Sequence, residues 1–417
     1  MKNALRPLAC ALFLQSAAFA EPDSCARSAL ELAFHRVCVG VGCEFSNLID
    51  DIGLNLCASG YSEHAITAAA NMSVGLKMAI RANTLYFGNE VAPLGDRVRD
   101  WKLDNVLHLL RSTLAAFDVP DLDFAITMHD GPIAYNRSAL LEVQQVMPFR
   151  RFNLSADHWH WRNWTALGKI PHFAPMTFPM RPRISDGIAW PMLYSRVGLT
   201  TFDADKKIDE LLEATSFPWE SRTPRLGWRG QMRTAFEDES NNVRAFLRLK
   251  HWREHGRGLL LTKVANEPSL RNMTDICPTG CPVPCQHIGM RQCARTSFVQ
   301  TARWKYILSV EGEGGYADRE PRELLYGSVI VRQRRPFDAT QWYAGIMRAG
   351  VHFVEVDRHF NDLEDTIAWL HTHDEEAKKI GSAGRTFAAR MLRKQSLLEY
   401  AATTLRFLAL FQSDTLS

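Results

Sequence analysis

Short apolar segments alternate with helix-like segments over residues 303–370, and this alternation constrains the fold more than any other feature of the sequence. Two apolar runs, Tyr306–Val310 and Ser328–Val331, are separated by a glycine-rich turn and a polar helix start. A third strand is predicted over Val351–Val356, and an amphipathic helix follows from about Asp362. Strands that alternate with helices at this spacing are typical of βαβ units in a parallel sheet. The sequence therefore predicts an α/β fold.

The glycine-rich turn predicts a phosphate-binding position, because backbone N–H groups and a helix N-terminus converge at such turns. The glycines alone are weak support, since Gly312, Gly314 and Gly315 do not follow a strict dinucleotide fingerprint. The order of motifs across the block is more specific. It runs Lys305-Tyr306, Glu311-Gly312, Arg319, Leu324-Leu325, Ser328, Val329–Val331, Trp342-Tyr343, Val351-His352-Phe353 and Asp362-Leu363-Glu364.

This order resembles the signature block of glycosyltransferase family 90, the capsule-associated-protein-ten domain, which includes protein O-glucosyltransferases. The resemblance implies a GT-B-like fold, in which two Rossmann-like domains face each other across a cleft. It also implies an inverting, metal-independent transfer of glucose or xylose from a UDP-sugar to a hydroxyl acceptor, such as a serine of a secretory-pathway protein. A capsule or polysaccharide glycan transferase and a non-catalytic carbohydrate-binding descendant are the alternatives.

The chain is long enough for two domains. We predict a signal peptide over residues 1–20 and a cysteine-bearing extension over 21–74. An acceptor-side Rossmann-like domain over 75–221 follows, and then a donor-side domain over 222–417 with C-terminal helices, the last of which could cross back. Ser221–Pro224 is interpreted as the linker.

Local patterns place further elements. Ala79–Phe87 suits an extended segment that ends in a turn at Gly88-Asn89, and Leu259–Val264 is predicted to be a strand of the second sheet. The other predicted elements are a helix over Leu103–Phe117, strands over Leu122–Thr127 and Leu226–Trp228, and helices over Glu375–Arg393 and Leu397–Phe411.

Asp130 is the candidate catalytic base. It follows the predicted strand Leu122–Thr127 at its carboxyl end, where ligands bind in open α/β sheets. The family carries an aspartate in the corresponding strand-end motif, which is understood to deprotonate the acceptor hydroxyl. The alternative is a turn-capping role, because Asp-Gly is a common turn pair. His129 is a second candidate.

The candidate donor-binding residues come from the resemblance. Trp228-Arg229-Gly230 and the following Thr234 match an aromatic-Arg-Gly segment of the family, and Arg244 resembles a later arginine of that pattern. The resemblance adds Glu311, Gly312 and Arg319, although Arg319 is one residue out of register, so that Arg322 is its alternative. Asp186 and Trp190 are assigned to sugar binding, and the alternative is that they belong to a proline-rich packed loop.

No cofactor and no metal are expected. Two Asp-x-Asp pairs occur, Asp121-Leu122-Asp123 and Asp203-Ala204-Asp205, as chance allows in a chain with 46 acidic residues. The first pair is interpreted as a strand start. Arginines and backbone N–H groups are instead expected to balance the charge of the departing diphosphate.

The N-terminus predicts export, because Lys2 and Arg6 precede an apolar run and an Ala-x-Ala site ending at Ala20. An uncleaved anchor is the alternative. Removal of Cys10 would leave eight cysteines in two clusters, for which disulfides are favoured over zinc in an oxidising compartment. We therefore expect the ER or Golgi lumen or secretion, no stable membrane span after cleavage, and no nucleic-acid partner. Five glycosylation sequons fit this route: Asn71, Asn136, Asn153, Asn163 and Asn272.

Overall fold

The fold consists of two compact units, each built around a β-sheet. The computed structural model describes residues 31, 32, 34, 35, 38, 75–87, 99–127, 176–178, 180–181, 188–189, 203–231, 256–280, 288–310, 319–334 and 340–411. The first unit comprises Met1–Leu193, Thr340–Ile346 and Lys394–Ser417, and the second comprises Tyr194–Ala339 and Met347–Arg393. The predicted α/β class is confirmed.

The first unit contains a mixed five-stranded sheet. Its elements are strands β1 (Gly75–Arg81), β2 (Thr84–Phe87), β3 (Leu122–Thr127), β4 (Met176–Phe178), β5 (Met180–Arg181), β6 (Ile188–Ala189) and β11 (Thr340–Gln341), with helices α1 (Arg99–Ala116) and α9 (Lys394–Phe411). The strand order is β2-β1-β3-β4-β6, and β5 pairs separately with β11. β1 is antiparallel to both neighbours, whereas β3, β4 and β6 are parallel. Met78, Ile80 and Phe124 are buried, and α9 packs on α1.

The second unit contains a parallel five-stranded sheet in the order β12-β10-β9-β7-β8. Its strands are β7 (Thr223–Gln231), β8 (Thr274–Gly280), β9 (Trp304–Ser309), β10 (Val329–Gln333) and β12 (Val354–Val356). Its helices are α2 (Ala204–Ala214), α3 (Gly256–Asn266), α4 (Pro268–Met273), α5 (Phe298–Thr301), α6 (Glu320–Leu324), α7 (Leu363–Thr372) and α8 (Asp374–Met391). Short 3-10 helices occur at Trp219–Ser221 here and at Ala344–Ile346 in the first unit.

Alternate side chains of these strands bury one face of the sheet in the main core. Leu226, Tyr306 and Val329 of three neighbouring strands pack there against residues of α3 and α7, which include Leu261 and Ile367. α8 packs close to the turn before β10. A Cβ at Gly381 would lie 2.6 Å from the carbonyl oxygen of Gly327, so this approach requires glycine.

Two predicted elements are wrong. Leu259–Val264 lies within helix α3, because Leu260, Leu261 and Val264 bury one helical face. A short apolar run does not distinguish a strand from a buried helix. Ala79–Phe87 is not one extended segment but a hairpin.

The hairpin turns at Ala82 and Asn83, whose φ angles are 47° and 60°. Such a turn matches the twist of antiparallel strands. The Asn83 side chain stabilises it by accepting a hydrogen bond from the Val119 N–H at 3.1 Å and donating one to the Leu114 carbonyl at 2.6 Å. Gly88 and Asn89 lie outside the described residues.

The division between the units falls near residue 193 rather than at 221, and the linker predicted at Ser221–Pro224 runs into β7. The physical reason is the packing of α2 and the turn after it. Arg385 of α8 donates to the Leu212 carbonyl at 2.5 Å, and Arg222 donates to the Tyr326 carbonyl at 2.8 Å. These contacts anchor residues 203–222 to the second unit. The last helix, α9, returns to the first unit.

Candidate active site

A cavity of about 290 Å³ opens in the second unit beside β7. Its lining includes the last residues of β7, Thr279 near the end of β8, and Arg319, which directly precedes α6. Four of its lining residues are arginines: Arg229, Arg295, Arg319 and Arg322. We call it the arginine cavity.

The cavity lies where the strand order reverses. The chain runs from β7 to β8 on one side, and from β9 to β10 on the other, although β7 and β9 are neighbours. Gly227 of β7 and Ile307 of β9 are partners in the ladder, and both line the cavity. In open α/β sheets, ligands bind at the carboxyl ends of strands at such a reversal. The topology therefore favours this cavity as a ligand site.

Arg229 is held in place by a carboxylate and an aromatic ring. Its guanidinium is 2.7 Å from Asp275 Oδ1, and it lies 5.1 Å from the centroid of the Trp304 ring. The Trp304 ring occupies the space where a Cβ of Gly227 would stand, at 1.9 Å. Because Asp275 already balances its charge, Arg229 contributes a fixed donor group rather than a full positive charge.

Trp228 and Gly230 form one packing unit at the end of β7. The indole ring of Trp228 bends along the strand, so that a Cβ at Gly230 would lie 2.5 Å from Trp228 Cζ2. Trp228 is 1% exposed, and its indole N–H has no hydrogen-bond acceptor among the described residues. Buried polar groups are almost always hydrogen-bonded. Because Trp228 lines the cavity, this buried and unpaired donor is a candidate partner for a ligand acceptor.

Arg319 connects α6 to β7. Its Nη1 donates to the Arg229 carbonyl, its Nε lies 3.1 Å from Glu323 Oε1, and its Nη2 has no hydrogen-bond partner in the described part of the chain. Glu323 Oε1 is within ion-pair distance of Nε, but the geometry is not that of a hydrogen bond. The guanidinium lies 5.7 Å from the Trp228 ring centroid, so both orphan donors are close together.

A buried ion pair fixes the first turn of α6. Arg332 donates to Glu320 Oε1 at 2.7 Å, and the Ser309 hydroxyl donates to Glu320 Oε2 at 2.6 Å. The Arg332 guanidinium also lies 3.8 Å from the centroid of the Phe353 ring. Because Arg319 directly precedes Glu320, this network sets where its side chain enters the cavity.

Among the described lining residues, Glu323 is the one acidic residue beside the four arginines, and Asp275 pairs with Arg229 from outside that lining. Arginine forks bind phosphate oxygens well. An anion with several oxygens, such as a diphosphate, fits this donor set.

The structure brings three predicted donor-site residues together, namely Arg229, Gly230 and Arg319. The alternative, Arg322, also lines the cavity. Seven predicted site residues lie outside the described residues: Asp130, Asp186, Trp190, Thr234, Arg244, Glu311 and Gly312.

Sequence reasoning missed Arg295 and Thr296, which form part of the wall. No motif marks them, because they belong to the irregular segment between β8 and α5. The motif also includes Trp228, for which it predicts no role. An indole next to a donor-site arginine was an available signal.

The Asp-x-Asp pairs are engaged in local structure. Asp123, within β3, forms an ion pair with Arg81 at 2.5 Å, and Asp121 accepts a hydrogen bond from the Ala82 N–H at 2.8 Å. Asp203 stands directly before α2. Within the described ranges, no group of three or more His, Cys, Asp or Glu side chains is placed to hold a metal ion.

Cys277 and Cys293 form a disulfide. This confirms one of the bridges predicted from the cysteine count, and it joins two of the four sulfurs that a zinc site would have used. Cys38 is buried, and the remaining cysteines lie outside the described residues. Of the helices that the structure describes, none has the length and apolar character needed to cross a bilayer.

Comparisons with known proteins agree with the predicted family. Human protein O-glucosyltransferase 3 is 30% identical over 117 residues, which is 28% of this chain and 22% of that protein. Zebrafish (Danio rerio) protein O-glucosyltransferase 2 is 32% identical over 104 residues, 25% of this chain and 20% of that protein. The chain thus spans about a fifth of the length of these relatives.

A crystal structure of Anabaena Alr3699/HepE in complex with UDP is similar with a TM-score of 0.33 and 10% identity, covering 61% of this chain and 68% of that chain. The profile of Glycosyl transferase family 90 matches residues 189–413, which is more than half of the chain and includes the whole arginine cavity. The chain therefore belongs to glycosyl transferase family 90.

Proposed function

We propose that this protein is an inverting glycosyltransferase that moves glucose or xylose from a UDP-sugar to a hydroxyl acceptor, a serine of a protein in the secretory pathway. The observation that carries the proposal is the arginine cavity at the strand-order reversal, within the segment that matches the family. The names of the relatives support glucose as the donor sugar and a protein as the acceptor.

The cavity would hold the diphosphate of the donor. Arg229 and Arg319 both line the cavity with guanidinium groups, and the unpaired Trp228 indole N–H would add a neutral donor. As the bond from the sugar to the diphosphate breaks, negative charge builds up on the leaving phosphate oxygens. Donors that are already fixed in place stabilise this charge without reorganisation.

Arginines would replace a divalent metal in this role. The Asp121 and Asp123 carboxylates are engaged with the hairpin, as described above, which supports the metal-independent alternative. We expect turnover to be unchanged by EDTA. Loss of turnover with EDTA and recovery with manganese would overturn this part of the proposal.

Asp130 is proposed as the base that removes the proton of the acceptor hydroxyl while its oxygen attacks the anomeric carbon opposite the diphosphate. Asp130→Asn keeps the size of the side chain but accepts no proton. Transfer is expected to fall by about 10²–10⁴-fold, while UDP affinity stays the same. If Asp130 only caps a turn, Asp130→Asn transfers sugar at nearly the wild-type rate.

A donor screen tests the whole proposal. The chain is incubated with UDP-glucose, UDP-xylose and other UDP-sugars, and UDP release is measured with and without a serine-containing acceptor domain. Calorimetric titration with UDP accompanies it. Binding of UDP without transfer to any protein or glycan acceptor would favour a non-catalytic carbohydrate-binding protein, and transfer to glycans alone would favour a polysaccharide transferase.

The donor site is tested by Arg319→Ala. Loss of one charge-assisted partner is expected to weaken UDP binding by about 1.5–3 kcal/mol, which corresponds to roughly ten- to a hundredfold. Arg291→Ala, which removes an exposed arginine away from the cavity lining, is the matched control. If Arg322→Ala weakens binding while Arg319→Ala is silent, the register of the α6 arginines is assigned wrongly.

A further inference from the structure

One wall of the arginine cavity is formed by residues that no motif predicted. Arg295 and Thr296 lie within Cys293–Ser297, the last five residues of the connection from β8 to α5. We call these five residues the disulfide segment. Both of its ends are fixed to other parts of the second unit.

At its first end, Cys293 is bonded to Cys277 of β8, and the Cys293 N–H donates to the Pro278 carbonyl at 2.9 Å. At its second end, the Ser297 hydroxyl accepts from the Gln300 N–H at 3.2 Å, and the Gln300 side chain accepts from the Ser297 N–H at 2.8 Å. This capping box starts α5. The backbone that carries Arg295 is therefore held on both sides.

Arg295 differs from the other arginines whose contacts were described above. Arg229 is paired with Asp275, and Arg319 lies beside Glu323. Arg295 is exposed, and it has no hydrogen bond or ion pair to any residue that the structure describes. It brings a positive charge to the cavity that no protein carboxylate offsets among these residues.

We propose that Arg295 binds the diphosphate of the donor, and that the Cys277–Cys293 disulfide is the device that positions it. The proposal rests on the proposed function, because it requires an anionic donor in the arginine cavity. It adds a binding residue and a structural role for the bridge. Without the bridge, the disulfide segment loses one of its two anchors, and Arg295 spends less time facing the cavity.

The first test compares UDP affinities by calorimetry. Arg295→Ala is expected to weaken UDP binding by about two- to fivefold, the range for a charged contact at an exposed position. Arg295→Lys should recover part of this loss. Arg291→Ala makes the same change of charge two residues before Cys293, and its UDP affinity should match that of the wild type. The effect of Arg295→Ala should shrink as salt is raised.

Failure of this inference differs from failure of the proposed function. If the wild type binds UDP and Arg319→Ala weakens binding, while Arg295→Ala behaves like Arg291→Ala, Arg295 has no part in binding and the donor site stands. A wild-type chain that does not bind UDP overturns both.

The second test concerns the disulfide. In a Cys277→Ala/Cys293→Ala background, Arg295→Ala should lose most of its effect on UDP affinity, because the residue is no longer positioned. An equal effect in both backgrounds would show that the bridge does not position Arg295.

A third arm uses the wild type, so that it decides the point even if the cysteine variant fails to fold. In a glutathione buffer, two glutathione thiols become one glutathione disulfide as the bridge opens to two cysteine thiols. Coupling between sites is reciprocal, so UDP should increase the oxidised fraction of Cys277–Cys293 at equilibrium. Peptide mass spectrometry after alkylation measures that fraction. An oxidised fraction that UDP leaves unchanged would refute the positioning role.

Discussion

Gly230→Ala is the substitution whose effect the structure defines most sharply. The added Cβ would lie 2.5 Å from Trp228 Cζ2, 3.0 Å from Cε2 and 3.1 Å from Cη2. Carbon atoms do not approach so closely, and the Trp228 ring is packed into the main core, so it has little freedom to move away. Overpacking of a dense core costs about 1–3 kcal/mol. We expect the melting temperature to fall by roughly 2–10 °C.

The same shift should damage ligand binding. Moving the ring displaces its unpaired indole N–H, and UDP affinity should drop by about tenfold, the equivalent of roughly 1.4 kcal/mol. Thermal unfolding followed by circular dichroism and calorimetry with UDP measure the two effects. Gly280→Ala is the matched control, because the Cβ there would meet the flexible Gln231 side chain at 3.3 Å.

A double-mutant cycle separates the steric effect from the lost donor. Phenylalanine is smaller than tryptophan, so Trp228→Phe should make room for the Cβ of Gly230→Ala. The double variant is then more stable than the sum of the single effects predicts, but its UDP affinity stays low because the indole N–H is gone. Strictly additive stabilities, or a Gly230→Ala variant with wild-type melting temperature and UDP affinity, would refute this account of the site.

Three further predictions concern stability. Arg222 is buried, and burial lowers its pKa to about 10. Its guanidinium donates to the Ser328 hydroxyl and the Tyr326 carbonyl. Because Arg222→Met leaves these acceptors unsatisfied, it should lower the free energy of unfolding in urea by about 3 kcal/mol. Burial, together with nearby arginine charges, lowers the pKa of His352. The contribution of His352 to stability is therefore present above about pH 6.5 and is lost as the pH falls through the folded pKa. His352→Gln should flatten the dependence of the unfolding free energy on pH between about 7.5 and 5. Burial alone would raise the pKa of Asp374, but hydrogen bonds from Lys305 and Trp219 outweigh it and lower that pKa. The contribution of Asp374 to stability is therefore present above about pH 4 and is lost as the pH falls through the folded pKa. With Asp374→Asn, the unfolding free energy should decrease less in acid.

Elements with strong and regular patterns were predictable from the sequence. Helices α1, α8 and α9 fall where apolar residues recur at helical spacing, and β3, β9 and β10 fall on the apolar runs. The apolar pattern predicts these elements correctly because it follows their burial. The helices bury one face, whereas β9 and β10 are buried on both faces.

The strand β8, which was not predicted, and the hairpin turn, which was predicted as extended chain, have local sequences that conflict with their tertiary environment. β8 contains Pro278 and Gly280, which argue against a strand, but β8 is at the edge of the sheet, where one side needs no ladder hydrogen bonds. Similarly, Ala82 in the hairpin turn gives no turn signal. The turn is formed because Asn83 bonds to residues about thirty positions later.

The candidate site was predictable only where the family motif covers it. Arg229, Gly230 and Arg319 are themselves motif positions, and all three line the cavity. Arg295 reaches the cavity through the disulfide and the capped start of α5, which are tertiary features. A charge in an irregular segment carries no periodic signal, so the sequence gives no reason to single it out.

The return of α9 to the first unit affects how the chain is made. Arg406 of α9 donates to the Asp118 carbonyl at 2.7 Å, across 288 positions of sequence, and Phe407 packs edge-on against Phe34 at 5.6 Å. During synthesis, the unit that leaves the ribosome first must therefore wait for residues 394–411 to complete its core. The parallel sheet of the second unit, whose strands all lie within residues 223–356, can form before that. The second unit is thus able to fold before the first, although most of it is translated later. Until α9 has been synthesised, the face of α1 that packs against α9 stays exposed.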